Sequence, residues 1–379
     1  MKDLIWIGIR ESEIKYSDCF NNSISIFGDN SISLQKQIQK RINHNDHKHD
    51  KLIGSFYSKE VIRQVRKNQN VIFMYYSQLY NYNNIKRLGL LDHVLCLNDQ
   101  DLVEFADSKF QAKEYLKTYI PVLDYTYIRG KDYDFEEIKQ KYGGDTFVAQ
   151  TEKSSGGFGT IILDEHNQSN IKLENNSIYM LTKYCEDSIP INLHILISQN
   201  DIVLLPPSIQ NIEISFNRLV YKGSDFIAYR KNINDIIDSK VKEYAFIIGK
   251  LLQERGYRGI LGVDSIIYND EVYFMEINPR FQNSSTIINR SLRENDLPSL
   301  QELHLNCFLS KNITLKTFEV DYSSYINEYG APKKNLKINP LEKLDNPSER
   351  IVYEKHSYLS TDLYNNQIFE VLRNYSNCE

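Results

Sequence analysis

Short apolar runs alternate with amphipathic stretches along the first hundred residues, a pattern typical of a small α/β domain. The stretch 58–67 carries apolar residues at helical spacing, with Ser58 as its expected N-cap. No glycine-rich dinucleotide fingerprint follows the first apolar run, which argues against a Rossmann cofactor site there. We expect a parallel sheet, because strands and helices alternate. The predicted strands are 4–9, 23–27, 71–75 and 93–97.

Helical and strand patterns continue through the middle of the chain. Residues 100–120 predict a largely helical stretch that ends at Ile120-Pro121. Residues 234–254 predict a long amphipathic helix closed by Gly256, and a short helix is expected at 134–141. A further helix is expected at 300–309, and beyond Asp321 the periodicity weakens. The predicted strands of this part are 146–150, 160–163, 178–184, 193–198 and 202–205.

The most informative polar residues lie on two strands that follow the long helix. Glu276 and Asn278 are two positions apart on a predicted strand, so their side chains leave the same face. Asp264 stands on the strand before, and Arg280 follows just after. Carboxylate and amide oxygens suit a hard divalent cation, and arginine suits a phosphate or carboxylate. A solvated hairpin face, with Arg280 as a structural ion-pair partner of Glu276, is the alternative interpretation.

The length of the hairpin loop decides whether Asp264 joins this group. A three-residue loop at 269–271 pairs Tyr268 with Val272 and places Asp264 directly opposite Glu276. A two-residue loop turns Asp264 to the wrong face, because side chains alternate along a strand. The metal hypothesis therefore predicts a three-residue loop.

A second chemical element lies between the strands predicted at 146–150 and 160–163. Lysine, serines and glycines in such a turn allow close approach of the backbone to a phosphate. The turn is not a P-loop, because no GKS or GKT sequence ends it and a strand follows. Its residues are Lys153, Ser154, Ser155, Gly156, Gly157, Phe158, Gly159 and Thr160.

Taken together, these elements resemble the ATP-grasp superfamily over residues 106–310, in the family's order. The segment of Lys109 resembles the one that bears the first phosphate-binding lysine, and 150–160 resembles the glycine-rich lid. Asp264, Glu276 and Asn278 match the magnesium ligands, with Arg280 beside them. The resemblance assigns nucleotide binding to Lys109, Gln150, Lys153, Ser154, Ser155, Gly156, Gly157, Gly159 and the adenine hinge Thr182, Lys183, Tyr184 and Cys185. Asn192 and Gln210 are added as residues expected to point into the same site.

The resemblance implies an α/β fold in which a small Rossmann-like pre-ATP-grasp domain, 1–105, precedes an ATP-grasp domain, 106–320. The lid is expected at about 122–190, and 321–379 is expected to be a C-terminal extension. The implied cofactors are ATP and Mg²⁺, with Mn²⁺ as a substitute. The implied reaction activates a carboxylate as an acylphosphate and joins it to an amine, with release of ADP and phosphate. Lys109 and Arg280 are the residues expected to assist catalysis.

Two positions depart from the family's pattern and leave alternatives open. Gln150 stands where a lysine is usual, and Thr182 where a glutamate is usual. Gln150 can donate a hydrogen bond but cannot neutralise a phosphate. The substrates are expected to be small carboxylates and amines, such as amino acids or peptides. Ligation to a carrier-protein thiol is a second interpretation, a nucleotide-binding module without ligase activity is a third, and a homodimer is a further expectation.

Composition limits the remaining functions of this 379-residue chain. Its net charge of −5 gives no reason to expect nucleic acid or an anionic membrane as a partner. Five scattered cysteines without a CxxC pair fit reduced thiols, and with no signal peptide at the N-terminus we expect a cytoplasmic protein. The cluster of His44, His47 and His49 with two aspartates matches no zinc spacing, and a solvated loop is the expected structure there.

Overall fold

The computed structural model describes residues 3–27, 32–33, 59, 61–77, 82–153, 159–168, 171–215, 218–309, 312–326 and 351–354. Within these ranges the chain forms three β-sheets with helices packed against them. Ser58 and the histidine cluster at 44–50 lie outside the described residues. None of the helices in these ranges has the length and apolar character needed to cross a membrane.

The N-terminal sheet consists of β1 (Asp3–Arg10), β2 (Asn22–Phe27), β3 (Ile32–Ser33), β4 (Val71–Tyr75) and β5 (Val94–Leu95). All its pairs are parallel, in the order β3-β2-β1-β4-β5, which confirms the predicted α/β arrangement. Trp6 is fully buried at the junction with the rest of the chain, where its ring meets Phe281 edge-on. The strand expected at 93–97 is shorter than predicted, because Leu91–His93 forms a 3-10 turn.

The second sheet is antiparallel and lies within the residues for which a lid is predicted; we call it the lid sheet. Its strands are β6 (Tyr125–Arg129), β7 (Thr146–Thr151), β8 (Thr160–Asp164) and β9 (Ile178–Lys183), in the order β6-β9-β7-β8. The helix Phe135–Tyr142 covers one face, burying Phe135 and Ile138 against Phe147 and Leu181. Asp134 caps this helix by accepting a hydrogen bond from the backbone N–H of Glu137. A small separate core therefore supports the lid.

The third sheet is the largest and carries the polar hairpin. Its order is β15-β14-β10-β12-β13-β16-β17, and β11 pairs with β10. The last two strands come from the expected C-terminal extension and complete one edge of this sheet. The boundaries at 105 and 320 stay predictions. The strands are β10 (Ile189–Ile197), β11 (Ile202–Leu204), β12 (Ser208–Ser215), β13 (Arg218–Asp225), β14 (Gly259–Tyr268), β15 (Glu271–Asn278), β16 (Ser323–Ile326) and β17 (Ile351–Glu354).

The main core lies between this sheet and the helix Asp235–Glu254, which Asn234 caps. Alternation along β10 sends Ile191 and Leu193 into that core and leaves Asn192 and His194 on the opposite face. The predicted helical stretch 100–120 is two helices, because Ser108 interrupts it. The described helices are residues 61–67, Tyr82–Arg87, Gln100–Asp107, Lys109–Leu116, Phe135–Tyr142, Phe226–Asn232, Asp235–Glu254, Ser285–Glu294 and Leu300–Phe308.

Candidate active site

A cavity of about 230 Å³ lies between the lid sheet and the face of the large sheet that turns away from the long helix. Lid residues Gln150 and Thr160 form part of its wall. The structure brings eight of the predicted site residues to this cavity. They are Lys109, Gln150, Asn192, Gln210, Asp264, Glu276, Asn278 and Arg280.

The polar hairpin has the predicted pairing but not the predicted loop. Asp264 lies directly opposite Glu276, as expected, yet Tyr268 pairs with Glu271, so the loop has two residues. Both loop residues have positive φ, 49° and 58°, as a type I′ turn requires. The prediction of a three-residue loop was wrong because a β-bulge at Met275 supplies the extra residue. Met275 and Glu276 consequently both line the cavity.

Lys109 and Glu276 form the electrostatic centre of the site. The Lys109 ammonium lies 2.9 Å from Glu276 Oε2, and both side chains are largely buried. Burial raises the pKa of Asp264 to about 7, and the nearby Glu276 charge adds to the rise. Burial also raises the pKa of Glu276, but the Lys109 ammonium outweighs it and holds that pKa below its ordinary value. Two carboxylates therefore share one compensating cation.

A group of amide side chains surrounds Asp264. Its Oδ1 accepts from Asn192 Nδ2 at 2.5 Å and from Gln210 Nε2 at 3.2 Å, which places both predicted residues beside it. Gln282 was not predicted, although it lies two residues after Arg280; its Oε1 accepts from Asn192 Nδ2 at 2.8 Å. These donors fix the carboxylate in position, since an anionic acceptor makes stronger hydrogen bonds than a neutral one.

Arg280 connects the hairpin to the N-terminal sheet. It donates to Asn278 Oδ1 at 3.0 Å and to the Tyr76 hydroxyl at 3.2 Å. Its guanidinium also lies 5.9 Å from the centre of the Tyr76 ring. These contacts and a hydrogen bond to the Phe281 carbonyl at 3.1 Å hold the guanidinium at the edge of the cavity, and a planar cation suits a phosphate or a carboxylate.

The donor set fits a hard divalent cation. Asp264 and Glu276 present two carboxylates to one buried point, and a cation there removes the repulsion that raises the pKa of Asp264. Asn278 donates from Nδ2 to Asp264 Oδ2 at 3.0 Å, so its amide must turn over to offer Oδ1. Assignment of these three as ligands stays a prediction.

The base of the glycine-rich loop is tied to the Lys109 helix. Ser108 donates through its hydroxyl to Glu152 at 2.6 Å, and the Lys109 N–H donates to the Glu152 carbonyl at 3.2 Å. Lys153 does not line the cavity; its ammonium lies 3.7 Å from Glu104 and its side chain is about half exposed. Gly159 accepts from the Thr151 N–H at 2.9 Å. Ser154, Ser155, Gly156, Gly157 and Phe158 lie outside the described residues.

Gln150 occupies the place expected of a phosphate-binding lysine. It is nine-tenths buried, and its Nε2 donates to Thr160 Oγ1 at 3.3 Å across β7 and β8. The amide therefore faces the cavity but adds no positive charge to it.

The predicted adenine hinge continues from the end of β9. Thr182 is buried between Tyr125 and Val148, and the Lys183 side chain is exposed. The Tyr184 N–H donates to the Thr146 carbonyl at 3.0 Å, so that donor is already used within the lid sheet. Burial raises the pKa of Cys185, which favours a packing role over a nucleophilic one.

Sequence reasoning also missed Lys113, one helical turn beyond Lys109. Its side chain has no exposed surface, and its ammonium has no hydrogen-bond partner among the described residues. Burial lowers the pKa of Lys113 to about 8, although the Glu276 charge opposes the fall. The spacing of four residues on one helix was the signal that could have found it.

Comparison with known proteins identifies the fold. A family profile for the ATP-grasp domain matches residues 106–284. No curated protein matches this chain. The N5-carboxyaminoimidazole ribonucleotide synthetase of Thermotoga maritima is similar, with a TM-score of 0.52 and 16% identity, over 84% of this chain and 79% of its own.

Two further solved structures contain nucleotides. The carboxyaminoimidazole ribonucleotide synthase of Aspergillus clavatus, in complex with ATP, has a TM-score of 0.57 and 17% identity over 83% of this chain and 78% of its own. The biotin carboxylase domain of Hydrogenobacter thermophilus 2-oxoglutarate carboxylase, with MgADP and bicarbonate, has a TM-score of 0.58 and 14% identity over 84% and 73%. The predicted ATP-grasp fold with a preceding α/β domain is confirmed, because the family profile matches residues 106–284 and the solved structures share the fold.

Proposed function

We propose that this chain is a Mg²⁺-dependent ligase that uses ATP to activate a carboxylate as an acylphosphate and joins it to an amine. ADP and phosphate are the expected products. The observation that carries the proposal is the convergence of Lys109, Glu276, Asp264 and Arg280 on one end of a single cavity. Two anions and two cations at that point match a phosphate that arrives with a metal ion.

In this proposal Asp264, Glu276 and Asn278 hold Mg²⁺, which neutralises charge on the phosphates when bound. With a cation held at Glu276, the Lys109 ammonium would be able to donate to a phosphate instead. Arg280 grips the substrate carboxylate or the transferring phosphate with its paired donors. The glycine-rich loop excludes water from the acylphosphate, which otherwise hydrolyses.

Gln150 and Thr182 favour a mode of nucleotide binding that does without the lysine and the glutamate usual at these two positions. With no lysine at 150, Lys109 and Arg280 provide the positive charge among the described residues of the cavity. The dependence of the phosphate site on these two side chains is therefore greater than in a site with an additional lysine.

The direct test is an assay of ATP and Mg²⁺ with carboxylic acids and hydroxylamine, which traps an acylphosphate as a hydroxamate. Acid-dependent ADP and hydroxamate support the ligase. AMP in place of ADP contradicts the acylphosphate route. Nucleotide binding without any acid-dependent product supports a binding module instead.

Partners and location follow from the same proposal. An amine is proposed as the acceptor, and a carrier-protein thiol is the alternative acceptor. The described cysteines Cys19, Cys96, Cys185 and Cys307 are free thiols, which supports a reducing, cytoplasmic setting. The Hydrogenobacter domain forms a dimer, and a homodimer is proposed here by analogy.

A further inference from the structure

One wall of the cavity lies apart from the metal-binding end and is formed by the β12–β13 ribbon. Gln210 and Ile212 alternate along β12 and face the cavity, and Leu219 and Tyr221 do the same on β13. Ile212 pairs directly with Tyr221 across the two strands. We call these four residues the ribbon wall.

The Tyr221 hydroxyl and the Gln210 amide nitrogen of the ribbon wall already have hydrogen-bond partners within the protein. The Tyr221 hydroxyl lies 2.8 Å from Ser224 Oγ, and Gln210 donates to Asp264. The charged pair of the same ribbon, Lys222 and Glu213, does not line the cavity, and its Nζ and Oε2 atoms lie 3.5 Å apart. What the ribbon wall offers a ligand is therefore mainly apolar surface.

Charge divides the cavity into two ends. Among the described residues that line it, four side chains are charged, and all four lie on the hairpin, just after it, or on the neighbouring helix: Lys109, Asp264, Glu276 and Arg280. None of the four ribbon-wall residues is charged. A second carboxylate or an ammonium placed against the wall gives up water without gaining a counter-charge, which is unfavourable for a buried ion.

We propose that the ribbon wall holds the body of the acid substrate, and that this acid has an uncharged, largely apolar body behind a single reacting carboxylate. The inference rests on the proposed ligase function. The wall also packs against the lid, since β13 contacts β8. Closure of the lid over an apolar body thus removes more apolar surface from water than closure over an ion.

The test compares acids in the ATP, Mg²⁺ and hydroxylamine assay. 3-Phenylpropionate and 4-methylpentanoate represent uncharged bodies, and glutarate and L-lysine represent charged ones. The wild type should show a kcat/KM at least tenfold higher for the uncharged acids. Leu219→Lys should lose at least tenfold for 3-phenylpropionate and gain at least tenfold for glutarate, with the KM for ATP unchanged within twofold.

Two controls separate charge from damage to the fold. Ile236→Lys adds the same charge at a side chain that is 73% exposed on the long helix, and it should leave every constant unchanged. Leu219→Gln keeps the wall neutral; it should retain the wild-type preference and its MgATP-dependent rise in Tm, even if the lysine variant does not fold.

The outcomes distinguish this inference from the proposed function. A wild type that prefers glutarate or L-lysine overturns the inference alone. An increase in the KM for ATP in Leu219→Lys with no change of acid preference assigns the wall to the nucleotide, and also overturns it. If the wild type releases no acid-dependent ADP from any of the four acids, the ligase proposal fails and the inference fails with it.

Discussion

The Lys109 ammonium lies 2.9 Å from the Glu276 carboxylate and joins the first turn of a helix to the hairpin that carries the acidic residues. Lys109→Met keeps the length of the buried side chain but removes its charge. We expect kcat/KM for ATP to fall at least 100-fold, because Glu276 then loses its ion-pair partner and the phosphates lose a donor. The rate of ADP release at saturating acid substrate, measured over a range of ATP concentrations, gives this kcat/KM.

The matched control is Lys117→Met, which follows the same helix but pairs with Glu114 at the surface. It should cost less than twofold, since exposed ion pairs contribute little. Equal losses in both variants would contradict the role given to Lys109.

We expect the buried carboxylate of Asp264 to destabilise the metal-free protein. Its pKa is raised to about 7, so the folded state binds more protons than the unfolded state between about pH 4 and 7. The free energy of unfolding of the wild type therefore falls as pH rises through that window. Asp264→Asn should lack this fall and be more stable at pH 8, by up to about 4 kcal/mol.

Urea unfolding in EDTA at pH 5 and pH 8 measures the difference between wild type and variant. Adding Mg²⁺ and ATP should then stabilise the wild type and not Asp264→Asn. A variant that is less stable than the wild type at pH 8 in EDTA would show that Asp264 stabilises the fold itself.

Lys113 is a buried ammonium without a hydrogen-bond partner among the described residues. With its pKa lowered to about 8, the unfolded state binds more protons than the folded state between pH 8 and about 10.5. The wild type should therefore gain stability as pH rises through this window, relative to Lys113→Met. At pH 7 the methionine variant should be more stable by up to about 3 kcal/mol, since each pKa unit is worth about 1.4 kcal/mol.

Chemical unfolding at pH 7 and pH 10 gives both values. If Lys113→Met is instead destabilised at pH 7, the ammonium has a partner that compensates its burial, and the argument from desolvation fails.

A substitution in the two-residue turn should stabilise the polar hairpin without changing the cavity. Asp270 adopts a φ of 58°, which glycine tolerates at no steric cost. Asp270→Gly should raise stability by about 0.5–1 kcal/mol, because Asn-Gly is the preferred type I′ pair. Thermal unfolding measures the gain, and the acid-dependent ADP assay should show no change. Asp270→Val, with a β-branched side chain at positive φ, should have the opposite effect on stability.

Much of the fold could be predicted because local patterns and tertiary packing agree. Val71–Tyr75 and the long helix Asp235–Glu254 match their predictions closely. The helix Ser285–Glu294 was missed, because its buried Thr286, Asn289 and Ser291 resemble a loop composition. β12 was missed as well, since five of its eight residues are polar.

Site residues that share one strand could be predicted from the sequence. Residues that other elements bring to the site could not be predicted in this way. The positions of Glu276 and Asn278 follow from a spacing of two on one strand. Gln282 joins the site through tertiary contacts, for which periodicity holds no signal, whereas Lys113 could have been found from its spacing of four residues from Lys109. Ile212 has no chemical signature at all, and only the ribbon's placement beside the cavity makes it part of the site.

The bulge at Met275 lies between the tip of the hairpin and the end that carries Asp264 and Glu276. Ladder hydrogen bonds at Tyr268–Glu271 and at Asp264–Glu276 run in two registers that differ by one residue. An inserted peptide or fluorescent label at the Asn269-Asp270 tip would therefore report on the protein while the acidic residues keep their places. The tip of the hairpin is therefore a suitable position for an insertion or a label, although it lies only a few residues from the acidic side chains.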